Sequence, residues 1–201
     1  MRTVLATLAL LAAPTVAQAP AGTPGQPNPS LVTAGTYKVD PNHTQVTWKV
    51  NHLGFSLLQG QFGASGGQIT VDPAKPQATR LEVTFDVNQL STTSDAFTKH
   101  LKSDDFFNVA AHPTARFVSR TVQVNGDKAT ITGDLTIKDM TRPVTLQATF
   151  VGAGPNPRGG KLNFGFRATG RINRSEFGLG MAAPMVSDRV DLEINAAFER
   201  A

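Results

Sequence analysis

The chain of 201 residues contains no cysteine. This absence excludes disulfide bonds, thiol nucleophiles, iron–sulfur clusters and zinc sites built on cysteine. A domain without disulfides must draw its stability from a hydrophobic core, and a chain of this length is large enough to build one. We therefore expect one domain of ordinary size with additions at its ends.

Blocks of lysine and arginine are also absent, although the formal net charge is +4. Charged residues alternate with threonine and glutamine along the predicted strands, which indicates a solvated surface and not a nucleic-acid footprint. We expect no nucleic-acid partner.

Signals for catalysis and metal binding are missing too. The chain has four histidines without HxxH or HExxH spacing, namely His43, His52, His100 and His112. Asp104 and Asp105 could form an acid–base pair, but their place before Phe106 and Phe107 favours capping of a helical turn. The sequence predicts no nucleophile elbow, no catalytic residue, no metal ion and no cofactor.

The N-terminus begins with one positive charge, at Arg2, and an apolar run from Leu5 to Val16 that is too short to span a bilayer. Small residues follow, which is the pattern of a secretory signal peptide. We predict a signal peptide over residues 1–17, cleaved after Ala17, and a periplasmic or extracellular location. The alternative is an uncleaved membrane anchor. No later stretch is apolar enough to cross a membrane.

Residues 18–35 are rich in proline, glycine and alanine. This composition predicts an extended, disordered tether. We place the folded domain at residues 36–201.

Within that domain the apolar residues recur with a period of two. Val46, Trp48, Val50 and His52 point one way and their neighbours are polar, so the strand has one dry and one wet face. About eight such strands follow one another, mostly with hairpin-length turns and without βαβ alternation. We predict an all-β, antiparallel closed barrel, because closure removes exposed edges. A two-sheet sandwich is the alternative.

The dry faces mix large and small side chains. Glycines between residues 59 and 71 predict bulges that curl the sheet. The small residues expected to face inward are Gly60, Ala64, Gly133, Ala148, Ala168, Gly170 and Ala196. An eight-stranded barrel can be filled by side chains or hold one ligand, so the residues alone leave a packed core and a cavity both open.

The segment from Ser94 to Phe117 breaks the strand pattern. Phe97, His100 and Leu101 are spaced like one helix face, and Ser94 is in place to cap it. Short helices inserted near 94–108 would act either as a plug in the core or as a lid over a cavity.

Several motifs together carry a resemblance to a known family. They are VDPNHT (39–44), VNHLG (50–54), HLKSDDFF (100–107), HPTARF (112–117), GDLTI (133–137), RPV (142–144) and INRSEFG (172–178). In this order and spacing the chain resembles the YceI-like family of periplasmic, lipocalin-like polyisoprenoid-binding or lipid-binding proteins, over about Tyr37 to Phe198. Thr44, Arg116 and Glu176 depart from the family pattern without removing a feature that the fold needs.

The resemblance implies a barrel around an elongated apolar tunnel that holds a polyisoprenoid or fatty-chain lipid. It also implies a periplasmic location and frequent homodimers. Short helices would then close one mouth of the tunnel. The residues expected to bind lipid are Trp48, Val50, His52, Phe62, Phe85, Phe97, Leu101, Phe106, Phe107, Phe117, Phe164, Phe166 and Phe177.

Arg174 and His100 are candidates for a head-group contact or a salt bridge, and for Arg174 we favour a salt bridge with Asp104 or Asp105. The function expected is non-enzymatic carriage, storage or sequestration of a long-chain lipid, with a membrane donor or acceptor as partner. The alternatives are a packed barrel that serves as an interaction or stress-response module, and an enzyme acting on an apolar substrate.

Overall fold

The computed structural model describes residues 22–201, so the predicted signal peptide lies outside the described residues. Nine strands and one α-helix account for most of the described chain. The strands are β1 (Gly35–Val39), β2 (Gln45–His52), β3 (Ser56–Val71), β4 (Arg80–Ser91), β5 (Thr114–Asn125), β6 (Lys128–Ile137), β7 (Met140–Pro155), β8 (Leu162–Asn173) and β9 (Arg189–Arg200). The helix is α1 (Asp95–Lys102), and short 3₁₀ turns lie at Pro29–Leu31, Pro76–Ala78 and Arg174–Phe177.

All strand pairs are antiparallel, and the sheet closes on itself. Strands β2 to β9 form a ring of eight, in which β3 pairs with β4 and β2 pairs with β9. Each ring strand pairs with two neighbours, so no edge of the ring is left open. The predicted all-β, closed antiparallel barrel is confirmed.

The ninth strand, β1, lies in line with β2 between the same two neighbours. It pairs with the C-terminal ends of β3 and β9, whereas β2 pairs with their N-terminal halves. The break between β1 and β2 is bridged by Thr44, whose hydroxyl donates to Ala197 O (3.2 Å) and accepts from Ala197 N (3.0 Å). A buried side chain thus replaces the backbone ladder where the chain loops out.

Bulges set the curvature and the phase of two strands. The pairing of β3 with β4 shifts register between Gln61 and Gly63 and between Ala64 and Gly66, as the glycine pattern predicts. On β5 the register shifts between Ser119 and Thr121. The inward positions therefore change phase along β5, which explains why its alternation in the sequence is irregular.

The segment between β4 and β5 contains one helix where the sequence predicts two short helical elements. Ser94 caps α1 as expected, because its hydroxyl oxygen accepts from Phe97 N. Ser103 is the C-cap of α1, and residues 103–107 form a hydrogen-bonded turn in which Phe106 N donates to Ser103 O. A turn therefore follows α1 as expected, but the carboxylates of Asp104 and Asp105 do not cap it, because the N–H of Phe106 is bound by the carbonyl oxygen of Ser103.

The described part of the predicted tether, residues 22–35, contacts the barrel. Gln26 and Ala153 exchange two backbone hydrogen bonds of 2.9 Å. Tyr37, which is fully buried, donates its hydroxyl to Thr33 O at 2.8 Å. These contacts hold the segment beside β7 and β1. The division into signal peptide, tether and domain stays a prediction.

The buried residues form several clusters inside the ring. One cluster surrounds Tyr37, Phe164 and Phe198 near the start of β1, and another joins Trp48 to Leu101 of α1. Within residues 22–201, no helix is long and apolar enough to span a membrane.

Candidate functional site

A cavity of about 810 Å³ runs through the barrel. Its wall is formed by inward-facing residues of β2 to β9 and is overwhelmingly apolar. The volume lies within the roughly 300–1,000 Å³ typical of small-molecule pockets. The barrel is therefore hollow, and the packed-core alternative does not describe this structure.

The cavity reaches both ends of the barrel. At one end, which we call the α1 mouth, it is lined by residues of α1 and of the segment 179–186. At the other end, the turn mouth, it is lined by the 3₁₀ turn at Pro29, the β3–β4 connection and the β5–β6 turn. A cavity that extends along the barrel axis suits a long, thin guest better than a compact one.

Eleven of the thirteen predicted lipid-contact residues line this cavity. They are Trp48, Val50, His52, Phe62, Phe85, Phe97, Leu101, Phe106, Phe107, Phe117 and Phe166. The structure does not place the other two in the wall. Phe164 packs edge-on against Tyr37 with ring centroids 4.7 Å apart, and Phe177 is fully buried in a separate cluster with Ile137 and Leu179.

Aromatic side chains from strands and helix meet at the α1 mouth. Phe97 of α1 packs edge-on against Trp48, and Phe107 packs in the same way against Phe62, with ring centroids 6.4 and 5.5 Å apart. Such edge-to-face pairs favour defined ring orientations. Lys138 Nζ donates to Phe106 O at 2.9 Å and ties the turn after α1 to the β6–β7 turn. The helix thus covers one end of the cavity.

Arg174 holds the segment that forms the rest of this mouth. Its guanidinium donates to the backbone oxygens of Leu179, Met181, Val186 and Ser187. The Arg174 side chain is buried and lines the cavity. Burial lowers its pKa from the usual value, and the nearby Asp188 carboxylate opposes this shift. The guanidinium remains charged in either case.

The favoured salt bridge between Arg174 and Asp104 or Asp105 is therefore wrong. Asp105 instead lies 3.8 Å from His100 Nδ1, measured from Oδ2, and both side chains are about half exposed. Asp188 accepts from Ser175 N (2.8 Å) and from the Ser175 hydroxyl (2.7 Å). Asp188 thus binds the backbone at the start of the loop between β8 and β9.

The INRSEFG motif now has a physical explanation. Arg174 donates hydrogen bonds to backbone carbonyls of the following loop, and Ser175 donates to Asp188 at the end of that loop. Phe177 fills a core cluster, and Gly178 adopts φ +69°, which a residue with a side chain rarely does. The motif builds the loop that borders the cavity.

Part of the cavity wall is formed by residues that the strand pattern does not identify. Val122 and Val124 line the cavity near the turn mouth, although the alternation before the β5 bulge places them outside. Polar and charged residues at that mouth, including Asp72, Thr79, Asp127 and Lys128, were also missed. They lie in connections or at the first position of a strand, where alternation does not predict which way a side chain points.

Residues 63–67 read GASGG and match the letters of a GxSxG motif. Their context does not match, because Ser65 lies inside strand β3 and its hydroxyl donates to Thr84 O on β4. A nucleophile elbow needs a sharp turn between a strand and a helix. Within residues 22–201, no three His, Asp or Glu side chains are grouped to hold a metal ion.

Comparison with known proteins gives a consistent family match. The model of the YceI-like domain matches residues 37–198. Protein YceI of Escherichia coli O6:H1 is 40% identical over 164 residues, which span 81% of this chain and 85% of that protein.

Two solved structures share the fold. BcnA of Burkholderia cenocepacia superimposes with a TM-score of 0.68 at 24% identity, and the match covers 79% of this chain and 98% of that chain. A polyisoprenoid binding domain from Saccharophagus degradans, implicated in plant cell wall breakdown, superimposes with a TM-score of 0.63 at 12% identity, covering 82% and 98% of the two chains.

Proposed function

Because this chain belongs to the YceI-like domain family, and because its barrel is hollow and apolar along its axis, we propose that it binds one long-chain apolar lipid without catalysing a reaction. The ligand class is a polyisoprenoid or a related single-chain amphiphile. The role is carriage, storage or sequestration in the periplasm, after export by the N-terminal signal peptide.

The cavity itself carries this proposal. Its walls come from eight strands, so almost every face of a bound chain would contact apolar side chains. Removal of apolar surface from water stabilises a complex by roughly 25 cal/mol for each Å². In a binding site of this kind, the affinity depends more on the length and flexibility of the ligand than on any single polar contact.

The two mouths offer different surroundings to a head group. The α1 mouth presents Arg174, His52 and His100, whereas the turn mouth presents Asp72 and Lys128 among others. The guanidinium of Arg174 is already bonded to four carbonyls. We therefore propose that the main role of Arg174 is to hold the loop, and that any contact with a lipid head group is secondary. A membrane acts as donor or acceptor of the lipid in this proposal, and a homodimer is compatible with it.

Native mass spectrometry of protein purified without detergent tests the proposal. We expect a complex heavier than the polypeptide by the mass of one lipid. The matched variant is Ala168→Phe, in the middle of β8, because Ala168 lines the cavity beside its strand partner Ala148. A phenyl ring there narrows the lumen, so bound lipid should fall by about tenfold or more.

The control is Thr169→Phe, one residue along the same strand and exposed on the outer face. It should retain lipid as the unchanged protein does. A homogeneous mass without lipid, together with no uptake of added polyprenyl lipids, would refute the proposal.

A further inference from the structure

Five exposed apolar side chains surround the outside of the α1 mouth. We call them the apolar rim: Leu53, Phe55, Leu57, Met181 and Met185. Phe55 is 89% exposed, Leu57 70% and Met185 63%. Large apolar side chains this open to water are unusual when they are grouped, and grouped patches mark interaction sites.

Two loops build the rim and are bonded to each other. Leu53 N donates to Met185 O at 2.8 Å, and Ser187 N donates to Asn51 O at 2.8 Å. The rim therefore has a defined shape. Neither loop carries charge, since residues 53–71 and 178–187 contain no Asp, Glu, Lys, Arg or His.

The turn at the tip of the rim uses an unfavourable residue. Leu53 adopts φ +56° and Gly54 φ +74°, and Phe55 N closes the turn on His52 O. Hairpin turns with two positive φ values prefer Asn-Gly, because a larger side chain at the first position is strained. A leucine in this position strains the turn and belongs to none of the buried clusters, and Leu53 is 46% exposed.

The rim continues into the cavity wall. Leu57 is exposed while its neighbour Leu58 lines the cavity, and Met185 is exposed while Val186 lines the cavity. Met181 does both. Apolar side chains therefore lie on both the outside and the inside of the barrel at this mouth.

We propose that the apolar rim inserts into the surface of a lipid bilayer, so that the α1 mouth opens directly toward membrane lipid. This inference rests on the proposed lipid-binding function. A chain-like lipid leaves a bilayer with the least exposure to water if the cavity mouth is seated in that bilayer.

The size and shape of the rim favour a bilayer over a second copy of the chain. At roughly 200 Å² for a full side chain, the exposed fractions amount to about 600 Å². A stable protein interface needs about 800 Å² on each partner, in a complementary surface. The rim is smaller and has an aromatic side chain at a protruding turn, which a fluid lipid surface accommodates.

The charged residues near the α1 mouth predict which lipid composition is sufficient for membrane binding. The helix and its following turn carry both signs, in Lys99, Lys102, Asp95, Asp104 and Asp105. Because no cationic face accompanies the rim, we expect binding to neutral lipid and little dependence on salt.

Flotation with vesicles of phosphatidylcholine tests the inference, with protein purified from cells that express the full chain. Phe55→Ser should lower the partition onto vesicles by at least about tenfold, the loss expected when one buried phenyl group is removed. Val151→Ser is the control, because Val151 is also an exposed apolar residue, at 50%, and lies on β7, away from the rim. It should partition within about twofold of the unchanged protein. The intact mass shows whether the purified protein retains the predicted signal peptide, and all variants are compared with the same N-terminus.

Leu53→Asn separates binding from folding. Asparagine suits the turn, so this variant should unfold at the same or a higher temperature and yet bind vesicles more weakly. A variant that is both stable and deficient in binding cannot be explained by unfolding.

Two results would overturn the inference while leaving the proposed function intact. One is lipid retained in the cavity by native mass spectrometry without any flotation of the protein. The other is a dimer in sedimentation equilibrium that Phe55→Ser dissociates, which would assign the rim to a second copy. If instead the protein floats but never contains or takes up lipid, the rim inference holds and the proposed function fails.

Discussion

Replacing Arg174 by methionine should destabilise the protein strongly, because its guanidinium holds the loop between β8 and β9. The side chain donates to the backbone oxygens of Leu179, Met181, Val186 and Ser187. Methionine keeps much of the side-chain length and offers no donor. The four carbonyls would lose their partner without a change in the covalent backbone.

The magnitude follows from how many of these oxygens water can reach. Met181 is partly exposed, so water can replace the guanidinium there. Leu179 is buried, whereas Val186 and Ser187 are both half-buried. We count the bond to Leu179 in full and the two half-buried bonds together as one, so about two bonds are lost without replacement. Hydrogen bonds to charged groups contribute roughly 1.5–3 kcal/mol each. We expect a loss of about 3–6 kcal/mol in the free energy of unfolding, which for a domain of this size lowers the melting temperature by about 6–24 °C.

Urea unfolding followed by circular dichroism measures this loss, provided that the m-value is unchanged. Arg171→Met is the control, near the end of β8 and three residues before Arg174. Arg171 is largely exposed and pairs with Asp191 at 3.0 Å, so its loss should cost less than about 1 kcal/mol. Arg174→Lys should recover little, because one ammonium with three donors cannot reach four carbonyls as the planar guanidinium does.

A stable Arg174→Met variant would refute this reasoning. If that variant also lost its lipid, Arg174 would have to be reassigned from the loop to the ligand head group. Loss of stability with lipid binding reduced in proportion agrees with a role in holding the loop.

Two further substitutions test the mouth and the strand break. The double variant Phe106→Ala and Phe107→Ala should lower lipid retention by about tenfold or more in native mass spectra. Replacing a fully buried phenylalanine by alanine costs roughly 3–5 kcal/mol, and each of these substitutions should cost less because both rings are half-buried. Equal loss of lipid retention and of stability would show that the segment is a plug in the core and not a lid. Thr44→Val should cost about 1–3 kcal/mol in urea unfolding, since Ala197 loses both hydroxyl contacts, while Thr44→Ser should cost less than about 1 kcal/mol.

The strands and the helix cap were predictable because they depend on local pattern. The alternation of Val46, Trp48 and Val50 with polar residues is a direct consequence of burying one face of a sheet. Ser94 was identifiable as a cap because only a few residue types can accept the free N–H groups of a helix.

The partners of Arg174 and Thr44 were not predictable in the same way. Thr44 binds Ala197, which is 153 residues away in the chain. Arg174 binds carbonyls, which every residue offers, so its sequence context does not identify its partners. Asp104 and Asp105 illustrate the opposite error. Their spacing fits a cap, yet the chain forms a turn stabilised by Ser103 instead.

The existence of a cavity could not be derived from the small residues alone. Of the seven expected to leave space, only the three alanines Ala148, Ala168 and Ala196 line the cavity. A side chain at Gly60 would collide with the ring of Trp48, and one at Gly133 with the ring of Phe117. At these positions the missing side chain is replaced by a neighbouring ring that lies close against the backbone.

The packing of aromatic rings against these glycines keeps the interior of the barrel open. The rings of Trp48 and Phe117 both line the cavity, and each packs against a glycine. Each ring therefore lies along the barrel wall and does not extend across the interior. The same two rings pointing across an eight-stranded barrel would fill much of its interior. An identical count of large and small residues is therefore compatible with a filled barrel and with a hollow one. The cross-strand register, which pairs Trp48 with Gly60 directly, decides between them, because it determines whether each ring has backbone or lumen beside it.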